Sequence, residues 1–133
     1  MSHRFTSLLT HLIYSTKERS PFLDRELGPE CHAYLGGIIE NIGGRRIIVG
    51  GDTDHVHLLL DLPATRSLSD CVRTLKSSSS KWIHEKWLRR SKFAWQKGYA
   101  AFSVSKSGID RVVRYIEQQE EHHRRVTYQE EVR

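Results

Sequence analysis

Two short strand-like runs with a pair of glycines between them constrain this chain more than any other feature. Arg45-Arg46-Ile47-Ile48-Val49 and His55-Val56-His57-Leu58-Leu59-Leu60 are rich in apolar and branched residues, and Gly50-Gly51-Asp52-Thr53 joins them. Turn-forming residues between two such runs read as a β-hairpin. Upstream, Tyr34, Leu35, Ile38, Ile39 and Ile42 recur at helical spacing, with Pro29 suited to the first turn and Gly43-Gly44 to the end. Downstream, Leu68, Cys71, Val72, Leu75, Trp82 and Ile83 mark a second helix, which Ser67 caps with Asp70 three positions on. Residues 7–16 supply a first strand. Phe93-Ala94-Trp95-Gln96 and residues 99–104 read as a fourth, interrupted by a bend or bulge at Lys97-Gly98.

The order β-α-β-β-α-β predicts an α+β fold of the split ferredoxin-like or RRM-like kind: an antiparallel four-stranded sheet with two helices on one face. A further C-terminal helix is expected from Ser107, with Asp110 in capping position and Ile109, Val112, Val113 and Ile116 as a narrow apolar face. The second face of the sheet is left open for chemistry or nucleic acid.

In a strand alternate side chains share a face, so His55 and His57 point the same way with Cα atoms roughly 6–7 Å apart. That spacing lets two imidazoles converge on one divalent ion, while Val56, Leu58 and Leu60 fill a core on the other side. A His-x-His pair alone is weak, because the chain holds 8 histidines. His11, on the first strand, reads as a packed or hydrogen-bonded histidine and stays outside the site.

At 133 residues the chain suits one domain with a real core. No apolar run approaches a membrane span and the first five residues do not open a secretory signal, so a cytoplasmic protein without membrane contact is expected. Cys31 and Cys71 have no metal or redox spacing and read as buried thiols. Charge is uneven: the net +5 arises from residues 66–133, where residues 66–97 hold nine Lys and Arg against Asp70 and Glu85. Such a stretch suits a polyanion. Arg73, Lys76 and Lys81 lie mostly off the apolar stripe of the second helix, around Ser77-Ser78-Ser79-Ser80, whose short hydroxyls suit a phosphate backbone or a tight helix contact equally well. Arg73, Lys76, Ser77, Ser80 and Lys81 are therefore candidate DNA-binding residues. Trp95 and Tyr99 suit either packing or base stacking.

These residues carry a resemblance. His55-Val56-His57 fits the HUH motif, histidine-hydrophobic-histidine, and Tyr115-Ile116-Glu117-Gln118-Gln119 fits Tyr-x-x-x-Gln on a following helix. The chain resembles the single-tyrosine HUH transposases of small insertion sequences that move as single-stranded DNA, a group that includes transposases associated with repetitive extragenic palindromes. Leu35-Gly36-Gly37, Gly50-Gly51-Asp52, Asp54, Ser67-Leu68-Ser69-Asp70, Trp95-Gln96 and Ala101-Phe102-Ser103-Val104-Ser105 extend the likeness over residues 5–130. It implies a transposase domain over 1–123 with a tail over 124–133. It implies that His55, His57 and Gln119 bind Mg²⁺ or Mn²⁺ and that Tyr115 is the catalytic nucleophile. The implied reaction cleaves and rejoins hairpin-bearing single-stranded DNA ends through a 5′-phosphotyrosine intermediate. The implied assembly is a homodimer in which the tyrosine helix of one chain can serve the other. Many relatives run on past Tyr128-Gln129-Glu130-Glu131, which puts any function of their longer tails in doubt here, and some serve the host cell. A non-catalytic single-stranded nucleic-acid-binding module on the same fold and a nickase of the wider HUH group remain alternatives.

Overall fold

The computed structural model describes residues 6–119. The boundary expected at 123, the charged run after Gln119 and the tail lie outside the described residues. The strands are β1 (Leu9–Ser15), β2 (Arg45–Asp52), β3 (His55–Asp61) and β4 (Ala100–Ser103); the α-helices are α1 (Leu27–Asn41), α2 (Leu68–Lys86) and α3 (Ile109–Glu117). All pairings are antiparallel and the strands are ordered β2-β3-β1-β4, the expected split arrangement.

Period-two alternation decides what each sheet face carries. Leu12 pairs with Leu58 and Tyr14 with Val56. These side chains, with Leu60, join Leu27, Cys31, Leu35 and Ile39 of α1 and Val72, Leu75 and Ile83 of α2 in one buried cluster. Burial pushes the Cys31 thiol up to about 12, so it remains protonated and unreactive at neutral pH. The Ser67 hydroxyl accepts from the Asp70 N–H at 3.1 Å, the cap predicted for α2. Past the end of α1, Gly43 takes a φ of 97°, where a side chain would be strained, and the Gly44 N–H returns to the Ile39 carbonyl at 2.9 Å.

Several expectations are corrected. The hairpin does not turn at the glycines. β2 runs through Gly50 and Gly51 to Asp52, which pairs with His55, so the turn is the two residues Thr53 and Asp54. Only Ala100–Ser103 forms a fourth strand. Residues 93–96 instead run beside the end of β1 through a single bridge between Thr16 and Trp95, and Gly98 breaks the path with a φ of 86°. Ser107 does not cap α3. A helical turn over Lys106–Gly108 feeds straight into the helix, and the Ser107 hydroxyl pairs with that of Ser105. An N-cap needs an extended backbone, and here Ser105 has it. Lastly, the second sheet face is only half open, because α3 packs across β2 and β3 there.

Candidate active site

β3 delivers His55 and His57 to the α3 side of the sheet, their rings 5.0 Å apart and inclined at 73°. Both are buried, at 6% and 3% exposure. A partner orients each ring. Nδ1 of His55 lies 2.7 Å from Oδ1 of Asp54, in the hairpin turn. Asp54 also accepts from Arg19, Nε at 3.2 Å and Nη2 at 3.3 Å. Burial alone would raise the Asp54 carboxyl, but hydrogen bonds from His55 and Arg19, reinforced by the guanidinium charge, hold it below the usual carboxylate range. An ionised carboxylate only accepts, so Nδ1 of His55 is the donor. Nδ1 of His57 lies 2.9 Å from Nε2 of His11 on β1. Burial pushes the His11 imidazole down, favouring its neutral form.

The chain leaves β1 sharply. Glu18 and Arg19 both take positive φ, 56° and 57°, and the Thr16 hydroxyl ties the bend by donating to the Ser20 carbonyl at 2.7 Å. The Thr16 N–H donates to the Asp54 carbonyl at 2.9 Å, so the Arg19 bend and the Asp54 turn are one connected support behind His55.

α3 reaches the histidines because Gly50 sits opposite His57. A Cβ at Gly50 would lie 2.9 Å from Cγ2 of Ile116, so only glycine lets that buried isoleucine settle on the sheet. Tyr115 then stands edge-on to His57, ring centres 5.5 Å apart, and 6.1 Å from His11. Tyr115 is 46% exposed and lines an open groove of about 620 Å³ with His55, His57, Ile13, Tyr99 and Phe102. Gln119, one turn on, is buried, and its amide donates to the Tyr115 carbonyl at 3.3 Å. The structure therefore brings His55, His57 and Tyr115 to one groove within one chain. Gln119 lies two residues past the end of α3 and is not part of the groove lining.

The α2 residues lie elsewhere. Arg73, Ser77 and Lys81 fall four apart along one exposed strip, with Arg73 ion-paired to Asp70. Lys76 and Ser80 are half-buried on the adjoining strip. Lys76 donates to the carbonyls of Gln96 and Gly98, both at 2.7 Å, above the Tyr14 ring, and desolvation lowers its ammonium. It pins the segment whose residues 97–99 form one wall of the groove. Buried Ser79 accepts from the Trp95 indole at 2.9 Å, which makes both packing residues.

Sequence reasoning passed over His11, Arg19, Asp54 as an orienting carboxylate, and Gly50. His11 had one available signal, since alternation from Leu12 and Tyr14 already puts it on the face away from the core.

The structure superimposes on a REP-associated tyrosine transposase bound to a REP hairpin with a TM-score of 0.64; at 13% identity, over 89% of this chain and 71% of that one, the likeness is one of fold. It superimposes on the crystal structure of a protein from Deinococcus radiodurans described as a transposase with a TM-score of 0.68 at 26% identity, covering 90% and 96% of the two chains. In sequence it is 28% identical over 114 residues to the ISDra2 transposase TnpA of Deinococcus radiodurans, 82% of this chain and 81% of that protein. The IS200-like transposase model matches residues 4–119, and the chain belongs to that family. Among the described residues no helix is long and apolar enough to cross a membrane.

Proposed function

We propose that this family member is a metal-dependent strand transferase for single-stranded DNA, with Tyr115 as nucleophile and His55, His57 and Gln119 as metal ligands. The observation that carries the reading is Tyr115 standing 5.5 Å from His57 at the mouth of a groove. Two imidazole nitrogens and a carboxamide oxygen make a neutral donor set that can hold a divalent cation and leave positions open for phosphate oxygens. Asp54 and His11 engage Nδ1 of the two rings, and such orienting partners are what ligating histidines carry, which supports Nε2 as the proposed metal-binding atom. Among the described residues no three His, Cys, Asp or Glu side chains gather as a metal site, and the Gln119 carboxamide supplies a ligand of another kind.

Mg²⁺ or Mn²⁺ bound there would polarise the scissile phosphate and neutralise charge developing on it. The chain's own groups do the rest. The Tyr115 oxygen forms a bond to phosphorus as the bond to the 3′ oxygen breaks. The phenol gives up a proton, the departing oxygen takes one, and a 5′-phosphotyrosine and a 3′-hydroxyl result. The phosphodiester energy stays in the protein–DNA bond, so the strand can be rejoined without a nucleotide cofactor. Asp54 and Arg19 hold His55, and His11 holds His57, so little reorganisation is left to the reaction.

Hairpin-bearing single strands are the proposed substrate, as the fold neighbour's bound REP hairpin suggests. Arg73, Ser77 and Lys81 form the strip proposed to grip hairpin phosphates; Lys76 is assigned to the groove wall. In the proposed cytoplasmic homodimer the helix that carries Tyr115 serves the histidines of its own chain or those of its partner. Incubation with Mg²⁺ or Mn²⁺ and labelled hairpin-flanked single strands should give a protein–DNA species on a denaturing gel. Tyr115→Phe should remove that species and keep hairpin binding. Binding without any covalent species in the wild-type chain would make it a non-catalytic binding module.

A further inference from the structure

Among the described residues α3 covers the β2–β3 half of the sheet and leaves the β1–β4 half bare. Ile13 of β1 and Ala100 of β4 are cross-strand partners and form a flat apolar floor there. Two large rings stand at its rim, Phe102 at 57% and Tyr99 at 42% exposure, although neither joins the core. Phe102 pairs across the ladder with His11, its ring 6.5 Å from that imidazole, and His11 in turn neighbours Tyr115. The rings therefore flank the residue proposed to attack the phosphate. Among the described residues the groove lining includes Lys97 and Arg19, the latter ion-paired to Asp54, and no carboxylate. Exposed rings beside Lys97, on an apolar floor next to the residue proposed to attack the phosphate, match one occupant in shape and charge: a strand whose bases are unstacked and whose phosphates are unshielded.

We infer that this bare half of the sheet takes the unpaired bases next to the scissile phosphate, with Phe102 and Tyr99 as the rings on which they stack. The inference rests on the function proposed above and names the part of the substrate that this groove reads. A duplex presents only the edges of its stacked bases and offers the rings nothing to stack on, so the groove selects single strands without reading sequence. Phosphate contacts along α2 add affinity on the far side of the sheet.

The test uses the full chain in EDTA, so that cleavage does not intervene. The probe is a DNA hairpin with a ten-nucleotide flank carrying 2-aminopurine at each flank position in turn. The same hairpin with its flank paired is the control. Binding should quench at least one flank position. Phe102→Ala and Tyr99→Ala should each weaken binding of the unpaired flank by about 5- to 150-fold, the usual worth of one stacked base, and reduce the quench. Affinity for the paired control should stay within about twofold. Unchanged affinity for the unpaired flank, or an equal loss on both probes, would overturn the inference. So would a fall in solution mass on Phe102→Ala, which would assign the ring to contact with a second copy. A chain that still forms the Tyr115 adduct but ignores both substitutions would keep the proposed function and lose this inference.

Discussion

The two faces of β3 are made from the same seven residues and do opposite work. Val56, Leu58 and Leu60 face the helices in a dry, interlocked core. His55 and His57, one position out of phase, face α3 and the groove, each held by a polar partner. A strand's period of two separates the residues that make the fold stable from those proposed to make it reactive. The reactive face still needs burial. Its histidines are as inaccessible as core residues, and Asp54 and His11 add to their packing a polar partner for each ring.

The sharpest break in the comparison is Tyr115→Phe, which should take the covalent product below detection on a denaturing gel with no loss of thermal stability. His57→Ala should lower metal-dependent cleavage by more than the roughly 10- to 100-fold that loss of a ligand's orienting partner costs. Leu58→Ala, one residue away, should do the reverse, costing about 2–5 kcal/mol in denaturant unfolding while the folded fraction retains its chemistry. Gly50→Val tests the junction of the two faces. Pushing Ile116 off the sheet should slow adduct formation by about 100-fold with a smaller loss of stability, because a shift of about 1 Å in a reacting group costs that much. Arg73→Ala and Lys81→Ala should each flatten the salt dependence of hairpin binding by about one ion, read from the slope of log K against log salt.

The smallest expected effect lies on the stable side. The Asp24 carboxyl is held below its usual range by the Leu27 N–H and by Arg90. A carboxyl lowered in the folded state contributes above its unfolded value, near pH 4, and that contribution fades as pH falls through the folded value. Asp24→Asn should therefore be less stable than wild type at pH 7, and the gap should close in acid. Solvent screening keeps it to about 1 kcal/mol or less.

The sequence made the helical half of the molecule legible. The stripes of α1 and α2, the Ser67 cap and the inward face of β3 all follow from spacing within a few turns of chain. The histidine pair was legible for the same reason. What escaped depends on contacts between distant segments. His11 joins His57 only because β1 and β3 pair in one register across 46 positions. No local pattern says which sheet face α3 will choose, and Gly50, read as a turn residue, proved to be where that helix seats. Lys76 looked like its basic neighbours until the path around Gly98 brought two carbonyls to its ammonium.

One measurement bears on the central claim more directly than any substitution. After the wild-type chain has reacted with hairpin-flanked single-stranded DNA and Mn²⁺, nuclease and trypsin digestion followed by mass spectrometry locates the nucleotide on the protein. A nucleotide on the peptide that begins at Tyr115, with the phenol oxygen as the attachment site, is the predicted result. A nucleotide on any other side chain, or none while the DNA is bound, would contradict the account.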